Sequence, residues 1–418
     1  MTDGRDGSMF SKSRRDFLKQ SGMAIAGAAF APGLLTAATR EASAMTSEKK
    51  IRIGVVGGRF GCEFYWNEHP NCIVEAVSDL RPERRQKLKD VYKCGKSYES
   101  LEKMILDKDI DAVAVFTGAP DHVRHDIACM KEGKHVISAV PACMTIEEAE
   151  ELLDTVKRTG LTYMMAETSY WHPAVISARQ WYKEGKFGEI FSAEAEYHHP
   201  GLDVLYIEDG KRTWRYGLAP MNYPTHCTSY LVGVTKERLK TVTCTGWDNG
   251  TQFFKDNVYN NPFAAETAMF HTDKGHSFRV DVYWDGAVRG CERGQWIGSK
   301  MSLYDPHPNG LGAVIVRSGN QTEKDDAGFE RKLSPFEQYP LPEYWKTDML
   351  PESMRHGSGH EGSHTFIAHE FISALVENRR PAVDIYEALA FTVPGIVAHQ
   401  SALQGGKQLK IPQYDPKV

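Results

Sequence analysis

Residues 51–61 read Ile51-Arg52-Ile53-Gly54-Val55-Val56-Gly57-Gly58-Arg59-Phe60-Gly61, an apolar run of strand length that ends in a glycine-rich turn. Such a turn, followed by a helix, lets backbone N–H groups approach a pyrophosphate at the helix N-terminus. The fit to G-x-G-x-x-G is imperfect: with Gly58 and Gly61 as its last two glycines, Val56 stands where the first belongs. A second apolar run, Ile73-Val74-Glu75-Ala76-Val77-Ser78-Asp79, ends in a carboxylate 22 residues beyond Gly57. That is close to the spacing at which an acid binds the adenosine ribose. Gly57, Gly58, Phe60, Gly61 and Asp79 are therefore candidate cofactor contacts, and Asp79 favours NAD over NADP. Arg81, two residues on, is the alternative: a cation able to accept a 2′-phosphate.

Outward from this unit the pattern predicts helices over 82–92 and 98–106, a strand over 112–117, a helix over 123–132, a strand over 135–138, a helix over 146–159 and a strand over 163–166. Alternation of this kind makes a parallel, doubly wound sheet, here over 50–170. Thr117-Gly118-Ala119-Pro120-Asp121-His122 falls at the carboxyl edge of its strand, where such sheets bind ligands, which adds Thr117, Pro120 and His122 to the cofactor set.

The whole chain has 418 residues, 50 Lys and Arg against 55 Asp and Glu, and 41% hydrophobic residues. That length suggests two or three domains. The composition excludes wholesale disorder and a multi-span membrane protein. A net charge of −5 offers no electrostatic reason to expect a nucleic-acid partner. Eight cysteines without a CxxC pair do not suggest a zinc site, and most are expected to be buried apolar groups. Residues 1–44 read as an export signal: Ser13-Arg14-Arg15-Asp16-Phe17-Leu18-Lys19 precedes an Ala- and Gly-rich apolar stretch and the small-residue site Ala42-Ser43-Ala44. This resembles a twin-arginine signal and implies a periplasmic or extracytoplasmic protein, with no stable membrane span once the signal is cleaved.

Several motifs in order, namely the glycine-rich turn, Ser78-Asp79, Thr117 to Pro120 to His125, Gly133-Lys134-His135-Val136 and HPAVISARQWYKEGKFGEI at 172–190, resemble the glucose-fructose oxidoreductase/inositol dehydrogenase/MocA family. The resemblance implies an N-terminal Rossmann domain and a C-terminal α/β domain over 171–384 with an open, mostly antiparallel sheet. It also implies an NAD(P)-dependent oxidoreductase acting on a small carbohydrate by hydride transfer at a ring carbon; the second sheet has one face that is exposed or used as an interface between homo-oligomer subunits. Dehydrogenases of the family carry Glu-Lys-Pro where this chain has Ala139-Val140-Pro141, and Asp four residues before the catalytic His where it has Asn222. Valine moves no proton, so the common acid/base set reduces to His226, with Tyr223 as its hydrogen-bonding neighbour. Val140 and Pro141 keep their place beside the cofactor.

Asn222-Tyr223-Pro224-Thr225-His226 with Val140-Pro141 also resembles the exported NAD-dependent α-N-acetylgalactosaminidase branch, in which tightly held NAD is recycled and the net reaction is hydrolysis. That is the alternative function; a sugar- or nucleotide-binding protein without catalysis is the third. Tight retention of NAD has independent support, since a periplasmic enzyme has no ready pool of it and twin-arginine export carries folded proteins.

Other candidates follow from position. Glu167 ends a strand and contacts cofactor or sugar, or else serves a structural hydrogen bond. Tyr170 and Trp171 follow it and suit stacking on a sugar, with interdomain packing as the alternative. Tyr197 and His360 are candidate substrate contacts, and Trp214-Arg215, which resembles the family's substrate-facing Trp-Arg segment, adds Trp214 for substrate and Arg215 for a substrate oxygen or the cofactor. The His- and Glu-containing clusters at 196–199 and 356–370 lack HExxH, and no metal ligand is assigned. Extended runs at 190–198, 239–247, 264–272, 277–284, 296–304 and 313–317 alternate apolar and polar residues. A polar excursion follows over 319–356, then helices at 365–377 and 385–403. The last helix and the 409–412 tail are expected to return to the body of the protein.

Overall fold

Strand β1 (Ile51–Val56) is apolar on both faces because both are covered, as parallel sheets require. After it come β2 (Cys72–Ser78), α1 (Pro82–Tyr92), β3 (Ser97–Tyr98), the single turn α2 (Leu101–Met104), β4 (Ala112–Val115), α3 (His122–Lys131), β5 (His135–Ser138), α4 (Ile146–Thr159) and β6 (Tyr163–Met165). The six strands form a wholly parallel sheet in the order β3-β2-β1-β4-β5-β6. The strand order reverses between β1 and β4, and the crevice at their carboxyl ends is where such sheets bind nucleotides. The computed structural model describes residues 48–307, 310–319 and 322–416; the expected export signal over 1–44 lies outside them.

Two expectations for this half are corrected. The helix expected over 98–106 is an edge strand, β3, paired to Val77 and Ser78, followed by the one turn of α2. The glycine-rich turn runs into a four-residue 3-10 turn, Phe60–Glu63, instead of an α-helix. Phe64 and Trp66 are both fully buried, and residues two apart point to opposite sides of a helix. Both side chains enter the core beside Phe116 and Phe371 from the two 3-10 turns, Phe60–Glu63 and Trp66–Glu68.

The second half comprises α5 (Pro173–Lys183), β7 (Ile190–His198), the hairpin β8 (Ile207–Glu208) and β9 (Lys211–Arg212), α6 (Thr225–Thr235), β10 (Leu239–Trp247), β11 (Ala265–Thr272), β12 (Ser277–Tyr283), β13 (Cys291–Gly298), β14 (Met301–Asp305) and β15 (Val314–Arg317). Short strands β16 (Thr322–Lys324), β17 (Glu330–Lys332) and β18 (Phe336–Gln338) precede α7 (Gly359–Glu377), α8 (Ile385–Leu403) and β19 (Leu409–Lys410). Nine strands form one sheet, β18-β15-β14-β13-β7-β12-β11-β10-β19, antiparallel except for the β7–β12 pair. Its register gathers Ala193, Ala195, Phe270, Phe278, Val280 and Trp296 on the buried face, and Glu194, Glu196, Arg279 and Arg293 on the other.

The run expected as one strand over 296–304 is two. The amides of Ser299 and Lys300 donate to Glu189 and Phe187 carbonyls, and the chain reverses there to pair Ile297 with Ser302. Helix α7, expected within the second domain, instead covers the first sheet: Phe366, Ile367, Phe371 and Ile372 share a core with Ile51, Ile53 and Val55. Helix α8 packs against α4, α6 and β10, and β19 closes the edge of the second sheet beside β10. Among the described residues no helix is long and apolar enough to cross a membrane. All eight cysteines are free thiols, six of them buried.

Helix α6 is buried along all eleven residues. The turn that leads into it is held from two sides. Buried Glu266 on β11 accepts the Met221 N–H at 2.7 Å and pairs with His399 of α8 at 2.8 Å. Gly395 of α8 lies so close that a Cβ there would sit 2.1 Å from the Met221 carbonyl oxygen. His226, in the first turn of α6, is thereby fixed against the cleft.

Candidate functional site

A cleft of about 550 Å³ runs from the carboxyl ends of β1, β2 and β4 to the first turn of α6. At one end Gly57 has φ +102°, and a Cβ on it would lie 2.2 Å from the Phe116 carbonyl oxygen. Only glycine allows the chain this conformation and approach, which leaves bare backbone facing the cleft. Gly58 donates its N–H to Asp79 Oδ2 at 2.7 Å, and the Arg81 N–H reaches Oδ1 at 2.8 Å. Asp79 thus shapes the turn as well as lining the cleft. Phe60 lines it too, with its ring edge against Phe116, His360 and His364. These residues fit a dinucleotide: bare backbone at the turn, a carboxylate at the end of β2 and arginines beside it.

Other members of the expected cofactor set act differently. Thr117 and Val140 line the cleft. Gly61 is buried behind the turn, and Pro120 is exposed at the start of a 3-10 turn. His122 is buried with both ring nitrogens at carbonyls, Nδ1 at Pro141 (2.9 Å) and Nε2 at Thr117 (3.1 Å). His122, Pro120 and Pro141 therefore brace the loop without facing the cleft.

At the other end His226 packs with Tyr197, at 4.6 Å between ring centroids, and Tyr223, at 5.3 Å. Arg215 lies over the Trp214 ring at 4.0 Å, and both line the cleft. His226 Nδ1 lies 3.0 Å from Glu167 Oε1 and 3.1 Å from Ser169 Oγ. Ser169 in turn donates to Glu292 Oε2 at 2.5 Å, and Glu292 stands 3.8 Å from His226 Nδ1. With Nδ1 committed to the interior, Nε2 is the nitrogen left to the cleft. Burial opposes charge on this ring, but Glu167 and Glu292 outweigh it and push its pKa up to about 9. Burial likewise opposes charge on Glu167, and its pairing with His226 still holds its pKa below the ordinary value. The carboxylate lost at Asn222 is thus supplied by Glu167 at the end of β6 and reinforced by Glu292 on β13, so the acid/base set is not His226 alone.

His360 faces the same cleft in the opposite protonation state. His364 Nδ1 lies 3.0 Å from the Glu63 carbonyl oxygen, which only accepts, so Nδ1 carries the proton and Nε2 does not. His360 Nδ1 lies 2.8 Å from that Nε2 and must donate to it. Burial lowers the pKa of both rings, that of His364 to about 4. His360 is therefore a neutral imidazole with its Nε2 lone pair free for an incoming hydroxyl. Its backbone is left-handed, as are Glu361 and Gly362, a conformation that costs roughly 1–3 kcal/mol per non-glycine residue and clusters at functional sites.

Tyr170 and Trp171 do not stack on a sugar. Tyr170 is buried beneath the Arg179 guanidinium, 3.9 Å above its ring, and Trp171 stacks on Phe366. Both anchor the segment that follows Glu167 and Ser169. The cluster at 356–370 is dispersed: His356 pairs with Glu68, His369 with His69, and Glu370 with Arg379. Among the described residues Glu196, His198 and Cys291 come within 4.8 Å of one another, but Glu196 is already held by Arg279 and Arg293. Glu292 was missed in the sequence because β13 starts five residues before the expected strand. Its signal is the alternation Glu292, Gly294, Trp296 on the inward face.

The model of the Gfo/Idh/MocA oxidoreductase family, NAD-binding Rossmann fold, matches residues 51–167. This chain carries the NAD-binding Rossmann domain of that family. Along its full length this chain is similar to a glycosyl hydrolase family 109 protein of Solibacter usitatus, 24% identical over 96% of this chain and 97% of that one. It is also similar to an alpha-N-acetylgalactosaminidase of Tannerella forsythia, 23% identical over 96% of each. Among solved structures, a levoglucosan dehydrogenase in complex with NADH and L-sorbose has a TM-score of 0.69 at 17% identity, over 88% of this chain and all of that one. The scyllo-inositol dehydrogenase of Lactobacillus casei, with bound NAD(H) and scyllo-inositol, has a TM-score of 0.63 at 16% identity, over 87% and 99%. These show the same fold as this chain, a parallel Rossmann sheet with a mostly antiparallel second sheet.

Proposed function

We propose that the protein is an NAD-dependent enzyme acting on a sugar or sugar derivative by hydride transfer at a ring carbon. The carrying observation is the pair of histidines in one cleft with opposed protonation, His226 held charged by Glu167 and Glu292, and His360 held neutral through His364. Pairs pushed apart in this way supply an acid and a base at one pH. His360 accepts the proton of a substrate hydroxyl at Nε2, while His226 donates from Nε2 to an oxygen that gains negative charge. Arg215 and Tyr223 orient the sugar oxygens beside them. NAD, when bound, supplies hydride acceptance and return at a carbinol carbon.

A second reading, in which NAD is recycled and the net reaction is hydrolysis or elimination at the anomeric carbon, is favoured by Val140, which lines the cleft where the resemblance places a dehydrogenase lysine. The two full-length relatives named as glycosyl hydrolase and alpha-N-acetylgalactosaminidase support the same reading. A positioned acid suits departure of an anomeric leaving group as well as carbonyl reduction.

Export by the twin-arginine route, action in the periplasm and tight retention of NAD belong to the same proposal, supported by Arg14-Arg15 and Ala42-Ser43-Ala44. So does self-association through the outer face of the nine-stranded sheet, which light scattering tests. The deciding experiment purifies the protein without added nucleotide, identifies what denaturation releases by mass spectrometry, and supplies levoglucosan, scyllo-inositol and p-nitrophenyl α-N-acetylgalactosaminide. NADH accumulation marks a dehydrogenase. Nitrophenol release without NADH marks the recycled reaction, and neither product with any of a wider set of glycosides and polyols overturns the enzyme reading in favour of a binding protein.

A further inference from the structure

Three arginines at the nucleotide end of the cleft converge on one carboxylate from the other half of the molecule. Arg59 follows the glycine-rich turn, and Arg81 and Arg84 flank the start of α1. Glu208 comes from the β8–β9 hairpin. One Glu208 oxygen is held by both Arg59 and Arg84, and the other lies 3.3 Å from Arg81, which also pairs with Asp209 at 2.7 Å. Glu208 and all three arginines line the cleft, next to Asp79 at the end of β2. In a doubly wound sheet this is the adenosine-ribose end, where an acid recognises a free 2′-hydroxyl or an arginine accommodates a 2′-phosphate. Asp79 accepts the Gly58 and Arg81 amides, one on each oxygen, and keeps a lone pair on each for a ribose hydroxyl, so the fate of a 2′-phosphate is decided by the arginines and by what they already hold. Guanidinium groups gathered around one point are the geometry used for phosphate dianions.

We propose that Glu208 occupies a built 2′-phosphate site and so sets the preference of this chain for NAD over NADP. The inference rests on the reading of the cleft as a dinucleotide site. The arginines alone would favour the phosphorylated nucleotide. Glu208 meets one of their three charges and Asp209 meets Arg81 at 2.7 Å, and a 2′-phosphate has to displace a like-charged group that already holds all three. A 2′-hydroxyl leaves that network intact. Selection thus comes from filling the phosphate site across the cleft, by a residue distant in sequence from the fingerprint.

The test compares wild-type full-length protein with E208Q, which keeps side-chain size and removes the charge, after exchange of co-purified nucleotide. Affinities for NAD+ and NADP+ are measured by isothermal titration calorimetry. The expected result is a rise of tenfold or more in NADP+ affinity relative to NAD+ in E208Q. That gain weakens with added salt and disappears when E208Q is combined with R81Q. An unchanged ratio with NAD+ still bound overturns the inference alone. Failure of the wild type to bind either nucleotide overturns it together with the reading of the cleft, and a variant that selects NAD+ more strongly overturns it as well.

Discussion

Glu167 Oε1 lies 3.0 Å from His226 Nδ1, a buried ion pair that joins the last strand of the first sheet to the first turn of a helix under the second. The two residues are 59 apart in sequence, and their contact sets the chemistry of the cleft. The same pair predicts a pH dependence of stability. The folded pKa of His226, about 9, lies above its ordinary 6.5, so its contribution is fully present below 6.5 and is lost as pH rises towards 9. Glu167 is shifted the other way from 4.5, so its contribution is present above that value and is lost in acid. E167Q should therefore cost about 3 kcal/mol between pH 5 and 6.5 and much less near pH 9.5. Urea unfolding at both pH values checks this; equal losses at both would remove the ion pair as the cause. In the same variant the His226 pKa, followed by NMR, should fall below its wild-type value.

His360 should behave as a base whose loss affects turnover more than binding. H360A is expected to lower kcat by about 10²–10⁴-fold, with a smaller change in KM and partial rescue by added imidazole. H364L removes the acceptor that fixes the His360 tautomer. Its kcat should fall less, and the alkaline and acid limbs of its pH profile should move even where the maximum rate is little changed. A profile identical to that of the wild type would show that the His364 contact is structural packing only.

The Rossmann half was legible because its signals are local. Strand-length apolar runs, a capping box at Thr145 and Glu148, and the αL stop at Gly160 fall where the 3.6-residue period of α4 begins and ends. The site was half legible. His226, Tyr223 and Tyr197 lie at element ends that could be placed, and they do meet. Glu167 was visible as a strand-end acid, but its partner depends on how the two sheets fold together. Glu292 is marked only by its place in the Glu292, Gly294, Trp296 alternation, and Glu208 carries no local mark. Tyr170 and Trp171 misled because an aromatic beside a site looks the same in sequence whether it faces sugar, as Tyr197 faces the cleft, or fills the wall behind it.

Gly57 should be essential to nucleotide retention. With φ at +102° and the Phe116 carbonyl oxygen 2.2 Å from any added Cβ, G57A has to shift the turn away from β4. Strain of this kind costs roughly 1–3 kcal/mol, small enough for a two-sheet protein to survive. The expected result is a folded protein, by circular dichroism, that releases no nucleotide on denaturation. Wild-type nucleotide content in folded G57A would place the pyrophosphate elsewhere.

Glu292 should act on the same histidine as Glu167, but more weakly and partly through Ser169. It lies 3.8 Å from His226 Nδ1 against 3.0 Å for Glu167, and it also faces His172 Nε2 at 3.6 Å. E292Q should therefore lower the His226 pKa by less than E167Q does. It should also leave more stability at pH 6 than E167Q does, because Glu167 still pairs with the ring. Residues that share a partner are not additive. Once Glu167 is gone, Glu292 is, among the described residues, the carboxylate left beside a buried imidazolium, so the added effect of E292Q in the E167Q background should exceed its effect alone. A double-mutant cycle on the NMR-measured His226 pKa and on urea stability reads this coupling. Strict additivity would mean that the two carboxylates act on His226 independently, and no effect of E292Q in either background would mean that His226 answers to Glu167 alone.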